Sequence, residues 1–434
     1  MTVSGIATPT PELASVSWTS PAPGRREGAI PFWCLMVFTF VLFMAPQHFL
    51  PFLQPLRLAQ ASAGLAALAY VLSRLVQRRP LTVSTPEIRL VAWLTLVAVV
   101  SIPVSLSPGG SFAFFLSTFV KSVVIFFLLA NLLETVGRLR LLLAFIVVAG
   151  VVYAATGLYN FATGHTIPHD PGRIWGYPSQ FALNPDDFGL LLNVTLWLAY
   201  GLSVLARQRV VKALLAVGMT LMVGGIIVSF SRGAFLALVL TLAVFVAKLV
   251  WTRGPLVLLP IAAVVVLGVV LAPPGYADRL YSLFDPALDR VGSISERWRQ
   301  VEVVVPFLLQ NPLFGAGVGM EGLVYMEQGW GLSATHNIFL LVGTDLGFPG
   351  LLIYVLLFVQ ILRGLRRTQW QLGSVPEARE VVALAAGLEL AVFSFLVSAF
   401  FLPFSYSFVF FYLAGMAAAV RTIGGQVEAG QSLP

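Results

Sequence analysis

The chain has 434 residues, 58% hydrophobic and 10% charged, with a mean hydropathy of +0.90. Soluble globular domains carry about a quarter charged residues, so the composition excludes an ordinary soluble fold and predicts an all-α integral membrane protein. The formal charge of +7 does not call for a nucleic-acid partner, because the basic residues lie between apolar blocks. The single cysteine, Cys34, excludes an intrachain disulfide or a cysteine metal cluster.

Residues 1–30 are rich in Ser, Pro, Thr and Ala and end near Arg25 and Arg26. They read as a disordered tail with no cleavable signal peptide. Twelve apolar segments follow, near 31–50, 55–76, 88–106, 111–133, 138–161, 186–206, 211–229, 233–250, 255–272, 335–362, 380–402 and 404–421. Each is close to the roughly 20 residues that cross a bilayer core as a helix. Residues 31–421 are thus the membrane domain, and 422–434 a short second tail. An even span count puts both termini on one side, and most of the 26 Lys and Arg residues fall there. The positive-inside rule makes that side the cytoplasm. The opposite face carries two longer loops, 162–185 and 273–334, the second lying between spans nine and ten.

In the first loop, Arg173 is the only Lys or Arg. Asn184, Pro185, Asp186 and Asp187 form a helix start: a capping side chain, a first-turn proline, and acids at the positive helix end. Capping accounts for both aspartates, with a divalent-cation site as the sharper alternative. His165 and His169 are four apart, but Pro168 between them argues against a helical metal pair. At the end of span seven, "SFSRGA" puts Arg232 on the outer face, where the positive-inside rule disfavours it. Interfacial anchoring and function are the two readings.

In the second loop, "SISERWRQVEVVVPFLLQ" begins with Ser293 and Glu296 in a capping-box spacing. Trp298, Val301, Val305 and Leu308 then fall on one face, which predicts an amphipathic helix at the membrane interface. It would hold Arg297 and Arg299 at headgroup height, with Arg290 just before it. "NPLFGAGVG" follows; it lacks the lysine and hydroxyl of a nucleotide P-loop, so nucleotide binding is not supported. Inside the membrane, Lys121, Asp345 and Glu389 each need a partner, and Lys121 with either acid is the expected pair.

His336, one of four histidines, sits where this loop enters span ten. Histidine exchanges protons near neutral pH, and guanidinium groups match phosphate geometry. A base beside a cationic pocket at a lipid surface suits transfer of a sugar from a lipid diphosphate to a hydroxyl. The base takes the hydroxyl proton and the arginines stabilise the leaving diphosphate. No metal, cofactor or nucleotide is needed. A plain helix-capping role is the alternative that the residues alone leave open.

His336 and Asn337, then nine residues, Gly347, two residues and Gly350 resemble the histidine motif of the O-antigen ligase and O-antigen polymerase superfamily, bacterial inner-membrane glycosyltransferases. "SFSRGA" around Arg232, "GRIWGYPSQFALNPDD" around Arg173 and "NPLFGAGVG" are similar to further landmarks of that family. The resemblance favours the ligase branch. It implies a donor glycan on undecaprenyl diphosphate, a lipid A–core acceptor, a periplasmic site and inversion at the anomeric carbon. It also implies His336 as base, and Arg173, Arg232 and one of Arg297, Arg290 and Arg299 as diphosphate ligands, with Asn337, Asp186 and Asp187 in support. A polysaccharide polymerase or a protein O-oligosaccharyltransferase of the same superfamily would differ only in acceptor. A twelve-span secondary transporter is the rival of another class. Against it, no half-to-half repeat is evident, the loop after span six is short, and the polar residues gather outside.

Overall fold

The computed structural model describes residues 29–167, 170–179, 182–258, 293–331 and 333–429. Among these, ten helices are long and apolar enough to cross a membrane. An eleventh apolar helix, Ala29–Met44 (α1), is shorter at 16 residues. The all-α membrane architecture expected from composition is the one observed. Most of the segment read as a span at 255–272 lies outside the described residues.

In chain order, α1 is followed by Leu58–Val76 (α2), Pro86–Ser101 (α3), Pro108–Leu132 (α4), Val136–Ala162 (α5), Pro185–Leu205 (α6), Arg209–Val228 (α7) and Arg232–Arg253 (α8). Beyond the undescribed stretch come Ser293–Gln310 (α9), Glu321–Glu327 (α10), Ile338–Leu372 (α11), Arg379–Ala399 (α12) and Phe408–Glu428 (α13). The first expected span is cut short. Pro46 cannot continue the helix, and the chain leaves it through Ala45 in the left-handed region (φ 44°). In the loop after α5, strands Thr166–Ile167 (β1) and Asp170–Ile174 (β2) form a small antiparallel hairpin.

The centre of the bundle is α6, α12 and α13, whose apolar windows are about three-quarters buried inside the protein; α2 and α8 leave most of theirs to lipid. Lipid tails are as apolar as leucine, so helices in a bilayer associate through close packing. The crossing of α6 and α12 illustrates this: a Cβ on Gly387 would lie 2.8 Å from the Cα of Gly201.

Ion pairs gather at the end of the bundle where α1 begins and α13 ends. Arg74 and Arg138 meet Glu134, Arg140 meets Glu380, and Arg421 meets the buried Glu87 at 2.9 Å. Glu389 belongs to this group, taking Lys248, Arg366 (2.7 Å) and Gln369 (2.9 Å). That corrects the expected pairing with Lys121.

Asp345 corrects it too. Its carboxylate accepts the backbone N–H groups of Gly319 (2.8 Å), Met320 (3.0 Å) and Glu321 (2.8 Å). It serves as the cap of α10, supplied from α11. The run before α10 needs its glycines for the same docking. Gly315 and Gly317 have φ of +60° and +93°, and a Cβ on them would fall 2.1 Å from the Thr344 carbonyl oxygen and 1.9 Å from Ser105 Cβ. The run is pinned by Ala316 N–H to Thr344 O (2.7 Å) and Gly317 N–H to Asp345 O (2.9 Å). Gly347 opens a kink in α11 at φ +67°, where the Phe348 N–H reaches Pro312 O at 2.7 Å. "NPLFGAGVG" and the glycine half of the histidine motif are therefore two sides of one joint, which fixes the direction in which α11 starts.

Candidate active site

His336 is the residue before the cap of α11. Asn337 caps that helix, its Oδ1 accepting from Phe339 N–H (2.9 Å) and Leu340 N–H (3.0 Å). The preceding turn is tied to α10 by the hydroxyls of Tyr325 and Thr335, 2.8 Å apart.

The amphipathic helix read from the sequence is present as α9, and it supplies the other wall. One turn of it presents Arg297 and Gln300 to His336. The Gln300 side chain holds the histidine like a pincer. Its Oε1 accepts the His336 backbone N–H at 3.0 Å, and its Nε2 donates to Ala334 O at 3.0 Å while lying 3.1 Å from His336 Nδ1. A pocket of about 330 Å³ opens here, lined by Arg297, Trp298, His336, Asn337 and Phe401 among others. The Arg297 guanidinium lies 5.3 Å from the Phe401 ring centre, a cation–π contact that holds its planar fork in place. Arg299 turns elsewhere, onto Trp330 at 5.7 Å. Arg290 lies outside the described residues. Of the two described loop arginines, Arg297 is the one the structure brings to His336.

Behind Phe401 stands the "SFSRG" turn. A Cβ on Gly233 would sit 3.3 Å from Phe401 Cβ. Phe230 occupies the left-handed region at φ 52°, a strained conformation for an aromatic residue. The two serines hold this turn: Ser229 Oγ accepts from Ser231 N–H (3.2 Å), and Ser231 Oγ caps α8 by accepting from Ala234 N–H (3.3 Å). The result is that Arg232, buried to 8% exposure, becomes the first residue of α8. A helix N-terminus stabilises anions and opposes cations, so an arginine there concentrates positive potential at one spot.

Arg173 joins the same spot from the hairpin. Its Nη2 meets Asp186 Oδ1 at 2.8 Å, and its Nε donates to Ser229 O at 3.5 Å. Asp186 also accepts from Ser231 Oγ, while Asn184 caps α6 by accepting the Asp186 N–H at 2.8 Å. Capping explains why an acid is found there; the structure adds that Asp186 orients Arg173. Asp187 follows it in the first turn of α6. Among the described residues, no three His, Cys, Asp or Glu side chains form a group that could hold a metal ion.

Burial and then the Arg297 charge lower the His336 pKa below its ordinary value. Glu296, the Ala334 carbonyl and Asp186 pull it back upward. The neutral ring is therefore favoured at neutral pH. That Asp186 and Arg297 both act on His336 also ties the two halves of the site together. Asp186 links Arg173 to Arg297 and His336, although these come from β2, α9 and the start of α11; Arg232 follows Ser231, whose hydroxyl meets the same Asp186.

Sequence reasoning missed Gln300 and Glu321. Gln300 carries no motif; its only signal was a spacing of three from Arg297 on an already predicted helix. Glu321 opens α10, and burial raises its carboxyl pKa against the backbone N–H groups of Glu321, Gly322 and Thr335.

A family model described as O-antigen ligase matches residues 217–355, roughly a third of the chain. The matched stretch runs from within α7 to within α11 and includes Arg232, Arg297, Gln300, His336 and both motif glycines. No curated protein matches the chain.

Proposed function

We propose that this chain, a member of the O-antigen ligase and polymerase superfamily through residues 217–355, transfers a glycan from undecaprenyl diphosphate to the lipid A–core oligosaccharide. The observation that carries the reading is the pairing of Arg297 and His336 across one pocket, with Arg173 tied to it through Asp186. The arginines would hold the diphosphate, since guanidinium groups bind phosphate oxygens through paired, permanently charged donors. His336 would take the acceptor hydroxyl proton through Nε2, the ring nitrogen that Gln300 does not engage. An acceptor oxygen then bonds to the anomeric carbon from the side opposite the diphosphate, inverting it. The bond from that carbon to the diphosphate oxygen breaks, and its electron pair stays on the diphosphate. The arginine charges lower the barrier by stabilising that leaving group.

The site would face the periplasm of the bacterial inner membrane. The end of the bundle where α1 begins and α13 ends is the arginine-rich end, which the positive-inside rule assigns to the cytoplasm. No metal or cofactor is required by this scheme. A polymerase would use the same donor site with a lipid-linked glycan as acceptor, and so would a protein O-oligosaccharyltransferase. The test is a purified system with each acceptor offered in turn. Glycan-bearing lipid A–core, formed only when that acceptor and a lipid diphosphate donor are both present, is the expected result. Lengthened lipid-linked glycans without any added acceptor would make the chain a polymerase.

A further inference from the structure

At the end of the bundle where α1 begins and α13 ends, a cavity of about 700 Å³ lies among three separate parts of the chain: the start of α5, the α6–α7 turn and the turn before α12. Arg140, Arg207, Lys212 and Arg379 line it, with Glu377 and Glu380. Four cations against two carboxylates leave two positive charges. Arg140 is taken by Glu380 at 3.2 Å. Among the described residues, Arg207, Lys212 and Arg379 form no ion pair. At the same end Arg74, Arg138, Arg366 and Arg421 each meet a carboxylate. The positive-inside rule asks for charge in a loop, not for charges of different loops to converge. Here they converge on one cavity. Both α7 and α12 also begin beside it without a capping side chain, and a helix start favours an anion.

The cavity has an apolar side as well. Val204 and Leu205 line it at the end of α6. On α7, Val210 and Leu214 flank Lys212 and are 68% and 67% exposed. In a bilayer such side chains face lipid tails, so the cations stand where tails meet water. Lysine and arginine at that height hold headgroup phosphates. We propose that this cavity binds the phosphate of an anionic phospholipid from the leaflet at that end, with Arg207, Lys212 and Arg379 as its ligands. The phosphate oxygens take the unpaired cations, and the first tail carbons lie along Val204 and the exposed side of α7. A free phosphate ester would meet the same cations but leave the apolar side bare. The His336 pocket is at the other end of α6 and α12, where Asp186 and Phe401 lie. A lipid in the cavity touches the ends of α5, α6, α7 and α12 together, so it stabilises the bundle by mass action.

The test uses the full chain in an uncharged detergent, with phosphatidylglycerol, phosphatidylcholine and glycerol phosphate as probes. Native mass spectrometry measures binding, and thermal unfolding reads its effect. Phosphatidylglycerol should bind about tenfold or more tightly than phosphatidylcholine and should raise the unfolding temperature more. The double variant Arg207→Gln, Lys212→Gln should weaken phosphatidylglycerol binding about tenfold or more, the loss expected for two charge-assisted contacts. The double variant Arg363→Gln, Arg367→Gln removes the same charge from the same end but outside the cavity, and screening should keep it within about twofold of wild type. All four of these side chains are exposed, so both variants should unfold at the wild-type temperature before lipid is added. Equal weakening in the two variants would reduce the effect to overall surface charge and overturn the proposal. Equal binding of phosphatidylcholine would overturn it too. Glycerol phosphate bound as tightly as the lipid would give the cavity to a soluble phosphate ester and refute the lipid assignment. Glycan transfer plays no part in these measurements, so their failure leaves the glycosyl-transfer reading standing.

Discussion

Replacing Gly317 by Ala probes the joint that aims α11 at the pocket. Gly317 sits at φ +93°, and its new Cβ would lie 1.9 Å from Ser105 Cβ and 2.9 Å from Ser105 Cα. A left-handed backbone costs an L-residue roughly 1–2 kcal/mol, and forcing a methyl group into a packed site typically costs about 1–3 kcal/mol more. The sum is about 2–5 kcal/mol, a large share of the 5–15 kcal/mol that holds an ordinary domain together. Ser105 cannot simply rotate away, because its backbone is part of the contact. Gly425→Ala is the control: nothing lies within 4 Å of the added Cβ, and alanine in place of glycine inside a helix gains up to about 1 kcal/mol. Thermal unfolding in detergent, followed by tryptophan fluorescence, should put Gly317→Ala several degrees below wild type and Gly425→Ala at or slightly above it. Transfer activity should fall in Gly317→Ala even at temperatures where it is folded. Wild-type unfolding and activity in Gly317→Ala would refute the docking of the glycine run against Ser105 and α11.

Asp186→Asn removes the charged partner of Arg173, and a hydrogen bond to a charged group contributes about 1.5–3 kcal/mol; kcat/KM for the lipid diphosphate should drop about tenfold or more. Arg297→Lys keeps the charge but loses the fork and the face-on contact with Phe401, so a drop of about ten- to a hundredfold is expected in the same assay. Because burial and Arg297 lower the His336 pKa, the neutral ring should persist below the ordinary histidine value of about 6.5, and it is lost only as pH falls through the lowered folded value. Arg297→Gln should move that titration to higher pH, read by NMR of the labelled ring. Glu389→Gln should leave transfer unchanged but lower the unfolding temperature, since the buried carboxylate, 3% exposed, takes Lys248, Arg366 and Gln369.

The spans were legible because bilayer crossing imposes length and hydropathy on a local stretch of chain. Asn184 and Asn337 were readable as helix starts for a similar reason: a cap needs only its own next turn. Arg232 stood out as a cation on the face where topology disfavours one. What stayed hidden depends on pairings between distant segments. Asp345 lies inside an apolar helix, and its partners are three backbone N–H groups some 25 residues earlier, which carry no side-chain signature. That is why Lys121 was the natural but mistaken partner. Gln300 was invisible because its role depends on how α9 lies against residues 334–336. The choice between Arg297 and Arg299 turned on helix rotation, which brings Arg297 to Phe401 and Arg299 to Trp330.

The central claim is that Arg297 and His336 enclose a glycosyl-transfer site, and a reconstituted reaction tests it most directly. Purified protein would receive undecaprenyl-diphosphate glycan and lipid A–core with EDTA present, beside His336→Ala and Arg297→Ala proteins that unfold at the wild-type temperature. Glycan-bearing lipid A from wild type, reduced at least a hundredfold in His336→Ala and strongly in Arg297→Ala, is the predicted result. Equal product from all three proteins would move the chemistry away from this pocket and contradict the account.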